Sequence, residues 1–176
     1  MLTENSLVAR VDRWLNLLAV ALAIFGGVIL AAISLMTFIS IVGRELIPFG
    51  LSPIPGDFEL VEVGCAVAVF SFLPYCHMHK GHLTVDLLIA PMSDRVFNFT
   101  TLLGDLTICG FAILIASRLW LGLGEKMSYG ESTMILEMPT WYGYALSVVG
   151  AILFAIVSVF MIWKDLALMA KGGRLA

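Results

Sequence analysis

Charge is scarce in this sequence. Only 13% of its 176 residues are Asp, Glu, Lys or Arg, against about 25% in soluble domains, and residues 14–43 contain no ionisable side chain at all. Cysteine is nearly as rare. The three present, Cys65, Cys76 and Cys109, lie inside apolar runs without C-x-x-C spacing, so they read as small packing residues rather than redox or metal groups. There is no basic stripe and the formal net charge is only −3, so nothing points to a nucleic-acid partner.

What fills the chain instead is hydrocarbon, with 60% hydrophobic residues against about 45–50% in soluble proteins. Apolar runs cover residues 14–43, 63–78, 96–124 and 138–163. At 1.5 Å per residue the first exceeds the roughly 30 Å hydrocarbon core of a bilayer. The prediction is an all-α integral membrane fold, a single domain over 1–176 with four transmembrane helices at about 15–43, 58–79, 96–122 and 139–163. Arg10 and Arg13 ahead of Ala19-Val20-Ala21 imitate a secretory signal. A signal core is only about 7–15 residues long, so this run is expected to be an uncleaved first helix.

Cytoplasmic flanks retain positive charge. With both termini inside, that side receives Arg10, Arg13, Lys80, Arg95, Lys164, Lys171 and Arg174, whereas Arg44, Arg118 and Lys126 fall outside with Glu45, Asp57, Glu59, Glu62, Glu125, Glu131 and Glu137. An N-in, C-in topology with an acidic outer face follows. The breakers agree with the span ends: Ile47 to Gly56 is too rich in Pro and Gly for a helix, and Asp57 stands where an N-cap belongs, with Glu59 in the first turn. Pro139 and Trp141 open the fourth span, with Trp141, Tyr142 and Tyr144 as interface anchors.

Close packing in a bilayer relies on small residues. Ala19, Ala23, Gly27 and Ala31 in the first span, and Gly143, Ser147, Ala151 and Ala155 in the fourth, recur every four residues, and each set is expected on one helix face.

An intramembrane charge is expensive, about 2.5–3.5 kcal/mol at mid-bilayer, which makes Asp105 a candidate. It either carries protons or sodium or hydrogen-bonds between helices; Arg118 is near enough to its span end to snorkel. His77, His79 and His82 cluster within six residues at one rim, but a membrane haem draws axial histidines from across a bundle, and no Cys or carboxylate stands at zinc-ligand spacing. No cofactor is expected. The segment His82-Leu83-Thr84-Val85-Asp86, followed by a short apolar stretch to Pro91, predicts a short interfacial helix between spans two and three.

Taken in order, Arg44 closing the first span, Glu59 opening the second, His82-Leu83-Thr84-Val85-Asp86, then Gly130, Thr133 and Pro139-Thr140-Trp141 make a pattern over nearly the whole chain. It resembles the small membrane subunit, DctQ-like, of tripartite ATP-independent periplasmic (TRAP) transporters. Two positions depart: the aromatic before the acidic pair, commonly Trp, is Phe58, and the frequent Arg-Tyr after the first span is Arg44-Glu45. The resemblance implies a non-enzymatic subunit of the bacterial inner membrane. A soluble periplasmic protein captures an organic anion of carboxylate type, a large membrane subunit moves it with sodium by an elevator motion, and the small subunit, surrounded by lipid, braces the large one. Substrate and sodium ligands then lie on the large subunit, so no catalytic, substrate or metal residue is assigned here.

On that reading Arg44, Glu59 and Glu62 are candidates for an ion-paired cluster fixing the first helix to the second. His82 and Asp86, four residues apart and able to share a helix face, are candidates for organising the turn after span two. The acidic outer loops are candidates for docking the binding protein. Other classes fit less well. A thiol oxidase needs outward cysteine pairs, a small multidrug exporter needs an acid in its first span, and an autonomous carrier needs broken helices and an inverted repeat. A four-helix haem anchor is tested by its absorption spectrum.

Overall fold

The computed structural model describes residues 2–79 and 94–170. Four long helices make up nearly all of it: α1 Leu2–Glu45, α2 Asp57–Met78, α3 Asp94–Tyr129 and α4 Trp141–Ala170. Each contains a stretch long and apolar enough to cross a membrane. Among the described residues the one bridge of β type joins Ser132 to Pro139, so the all-α, four-span expectation is met. The expected interfacial helix, with His82 and Asp86, lies outside the described residues.

The helices run past their apolar cores. At 1.5 Å per residue α1 is about 66 Å long, and α3 continues through Arg118, Glu125 and Lys126 to Tyr129, because Arg, Glu and Lys are good helix formers. Among the described residues the helices are broken at connections that contain Pro and Gly. After α1 a short 3₁₀ turn, Ile47–Phe49, ends on Gly50 at φ 86°, and Gly56 at φ 78° turns the chain into α2. Gly130 at φ 63° ends α3. The helices alternate in direction. One end of the molecule therefore carries the α1–α2 connection and the α3–α4 hairpin, and the other carries both termini.

The order of packing is α1 on α2, α2 on α4, and α4 on α3; among the described residues α1 only grazes α4, and α3 makes no close backbone approach to α1 or α2. The result is an open row in the order α1, α2, α4, α3. Its two inner members, α2 and α4, have 28% and 44% of their most apolar stretches buried, whereas the edge helix α1 has 11%. Near the terminal end a contact of 3.0 Å between Lys164 Nζ and Asp12 Oδ1 ties α4 to α1.

Close approach between neighbours depends on small residues, but not in α1 on the stripe expected. Ala19, Gly26 and Ser40 are buried, and Ile33 packs against Gly64, so the seam recurs every seven residues. A Cβ at Gly26 would meet Ser71 Cβ at 2.7 Å, whereas one at Gly27 would meet nothing within 4 Å, and Ala31 is exposed. Steps of four residues rotate about 40° off the seam each time at 3.6 residues per turn, while steps of seven drift by only about 20°. In α4 the predicted set Gly143, Ser147 and Ala151 is buried. Farther along α4, Val157, Ser158 and Met161 take over the burial as Ala155 turns partly outward.

Candidate functional site

The hairpin end holds the densest polar network among the described residues. On α1, Ser40 is fully buried. Its hydroxyl donates to Asp57 Oδ2 at 2.6 Å and accepts the Ile54 N–H at 3.3 Å. Arg44, one turn further along the same helix face, donates from Nη2 to the same Asp57 oxygen at 3.4 Å and lies 5.9 Å above the Phe58 ring. Gly43 permits this corner, since a Cβ there would meet the Ser52 carbonyl oxygen at 2.8 Å. One serine thus ties α1, the connection and α2 together.

The second half of the network is the hairpin at residues 131–140. Its two arms are joined by Thr133 N–H to the Met138 carbonyl at 2.9 Å and Thr140 N–H to the Glu131 carbonyl at 3.0 Å. Met138 N–H also donates to Thr133 Oγ1 at 3.1 Å. An ion pair between Lys126 and Glu131 closes its base. The tip is held from α2: Glu59 Oε1 accepts the Ile135 N–H at 2.8 Å and Oε2 accepts the Leu136 N–H at 3.0 Å. The Leu136 side chain rests on Gly56, where a Cβ would come within 2.5 Å of Leu136 Cγ and where φ is positive. Two features therefore demand glycine at that position.

The expected cluster of Arg44, Glu59 and Glu62 is divided. Arg44 takes Asp57, while Glu59 grips the hairpin and Glu62 lines a recess between α2 and α3. Helix geometry explains the split: residues 57 and 59 differ by about 200° around the axis, whereas 59 and 62 differ by about 60°. Asp57 is also not the N-cap. Gly56 caps α2, and Asp57 Oδ1 accepts the neighbouring Phe58 N–H at 2.9 Å. Because the Arg44 side chain is 50% exposed, its pair with Asp57 contributes little on its own. The stronger tie is Ser40. Ser40→Ala is expected to lower stability by about 1–3 kcal/mol, the range for losing a hydrogen bond to a charged group, here a partly buried carboxylate, with Arg44→Ala well below it; thermal unfolding of the two variants in one detergent checks the order.

A sequence model of the tripartite ATP-independent periplasmic transporters, DctQ component, matches residues 33–168. The chain belongs to the DctQ family. Comparisons with curated proteins and with solved structures give no match. As a DctQ component the chain is part of a TRAP transporter and a multi-pass membrane protein, and the matched stretch contains every residue of the hairpin-end network just described.

In this DctQ chain Pro139 and Trp141 frame the exit of the hairpin. The Pro139 carbonyl accepts the Tyr142 N–H at 3.2 Å, and the Trp141 ring lies 4.2 Å from that of Tyr142. Asp105 belongs to neither the network nor the hairpin end. It is buried in α3, and it is not the sole buried acid: Asp165 of α4 is buried too, as is His77 of α2, whose ring meets Phe154 edge-on at 5.7 Å. Phe97 packs on Met169, and Gly122 lies against Tyr144. In that antiparallel register residue 105 lies level with about residue 161, one turn from Asp165. The three cysteines are free thiols.

Ser40, Gly56 and Leu136 were not among the residues the sequence pointed to. The four-residue step from Ser40 to Arg44 was a usable signal, because it places both groups on one face. The partners of Glu59 are backbone amides, which leave no trace in side-chain identity.

Proposed function

We propose that this DctQ subunit is a rigid membrane brace for the large subunit of a sodium-coupled TRAP transporter that imports an organic anion of carboxylate type across the bacterial inner membrane. An elevator needs a stationary frame against which its carrying domain slides. The observation that carries the reading is the double tie at the hairpin end, Asp57 to α1 and Glu59 to the hairpin, on a row whose edge helix α1 keeps most of its apolar side uncovered by this chain. An open row of this kind offers a large partner a flat apolar wall with one end stiffened. The distribution of Lys and Arg supports N-in, C-in placement, with the hairpin end on the periplasmic side.

Co-expression with a large subunit and a periplasmic binding protein tests this. Substrate uptake is expected only when all three are present, and uptake by this chain alone in proteoliposomes rejects the brace.

On the same reading the hairpin helps dock the binding protein. Met134 at its tip is 97% exposed, and Glu137 holds φ 53°, a left-handed conformation in a residue other than glycine. Such a conformation costs about 1–2 kcal/mol, and an acid kept there at that expense points to use of its charge. Glu137→Gly is expected to raise thermal stability by up to about that amount while lowering uptake at low ionic strength, since surface charge tunes encounter rate. Charge reversal at Glu125 and Glu137 gives the companion measurement. Glu131 is unsuitable, because its pair with Lys126 holds the hairpin base. Uptake that responds identically to salt in variant and parent removes the docking role.

A further inference from the structure

Between the hairpin-end halves of α2 and α3 lies a recess of about 340 Å³, floored by α4, within the roughly 300–1,000 Å³ of small-molecule sites. It exists because the described residues of α2 and α3 make no close backbone approach and because α4 presents Gly143 and Ser147 there. Its lining is ordered by depth. Glu62, in the second turn of α2, and Lys126, in the last turn of α3, bring opposite charges to the end nearest the hairpin. Ser147 lies about 9 Å into α4 at 1.5 Å per residue, and Ala66, Phe70 and Leu119 supply an apolar wall.

Ser147 is the decisive residue. It is 2% exposed, and its hydroxyl oxygen has no hydrogen-bond partner among the described residues. Other buried helical serines here, Ser71 and Ser158, bond a carbonyl one turn back. A buried hydroxyl left without a partner is costly, and this one lines a space large enough for a molecule that supplies one.

We infer that the recess binds a zwitterionic glycerophospholipid with a primary ammonium headgroup, of the phosphatidylethanolamine class. The ammonium donates to Glu62, and the phosphate accepts from Lys126, which has three donor protons and spends one on Glu131. An ester carbonyl accepts from the Ser147 hydroxyl, and an acyl chain runs along Ala66, Phe70 and Leu119. A choline headgroup has no proton to donate to Glu62, and a purely anionic headgroup meets it with like charge. Because Lys126 also holds Glu131, the lipid would be coupled to the base of the hairpin. The inference does not depend on which leaflet the hairpin end occupies.

The test is lipid retention by the transporter complex reconstituted in nanodiscs of phosphatidylethanolamine, phosphatidylcholine and phosphatidylglycerol in equal parts, read by native mass spectrometry. Phosphatidylethanolamine is expected to be enriched over the other two. Glu62→Gln should cut the enrichment about tenfold, the effect of one charge-assisted hydrogen bond, and Ser147→Leu should abolish it by filling the recess. Glu62 is exposed, so its variant keeps the test decisive if Ser147→Leu does not fold. Retained lipid that mirrors the bulk mixture in the parent protein, or enrichment that survives Glu62→Gln, overturns the inference. So does a photoreactive residue at position 119 that cross-links to the large subunit instead of lipid.

Discussion

Glu59→Gln is expected to free the tip of the hairpin while leaving the four helices intact. The carboxylate accepts two backbone N–H groups, one on each oxygen, from Ile135 and Leu136. Gln has the same shape but only one acceptor oxygen; its NH₂ would face the second amide donor to donor. One bond is lost and the other loses its charge assistance. Hydrogen exchange is the direct measurement. The Ile135 and Leu136 amides should exchange roughly tenfold faster or more, because their protection comes from this local closure and not from global stability, whereas amides in the middle of α4 should be unaffected. If the hairpin forms the stiffened end of a brace, uptake by the full transporter should fall along with the protection. Unchanged exchange at these two amides would falsify the clamp; faster exchange with full uptake would keep the clamp and remove its mechanical role.

Gly150→Val should have the larger effect on the fold. A Cβ at Gly150 would overlap the Phe70 carbonyl oxygen of α2, and a carbonyl in a helix backbone cannot rotate aside as the end of a side chain can. Relief requires α2 and α4 to move apart, at about 1–3 kcal/mol or more for an overpacked interior site. This contact is the middle of the row α1, α2, α4, α3, so loosening it separates the α1–α2 pair from the α3–α4 pair. The expected result is a markedly lower unfolding temperature and loss of co-purification with the large subunit. Gly27→Ala is the control, since nothing lies within 4 Å of a Cβ there; it should be neutral or stabilising by up to about 1 kcal/mol through helix propensity alone. Equal unfolding temperatures for the two variants would show that the packing at Gly150 is not what holds the row together.

The contrast between Gly150 and Gly27 also marks how far the sequence can be read. Four spans were legible because the length of an apolar run is set against a fixed bilayer thickness, and the breaks were legible because Pro and Gly disfavour helix at defined positions. The order of the helices in the row was not. A helix that is apolar on every side carries no facing signal, so the small-residue stripe of α1 was expected at intervals of four although the seam follows intervals of seven. At the hairpin end the sequence pointed to Arg44, Glu59 and Glu62 as one ion-paired cluster, and the packed chain gives each a different neighbour. Their partners followed from rotation about the α2 axis and from a hairpin folding back across more than seventy residues of chain.

The sequence by itself determined an all-α chain with four apolar spans, and the order of its motifs placed it near the DctQ subunits, because hydrophobic length, helix breaking and motif spacing are properties of the chain. Tertiary structure decided the open row, the assignment of Asp57 to Ser40 and Arg44, the grip of Glu59 on the hairpin, and the recess beside Ser147. These depend on which faces of nearly uniform apolar helices meet, and on backbone groups that are the same at almost every residue, so only the packed molecule distinguishes them.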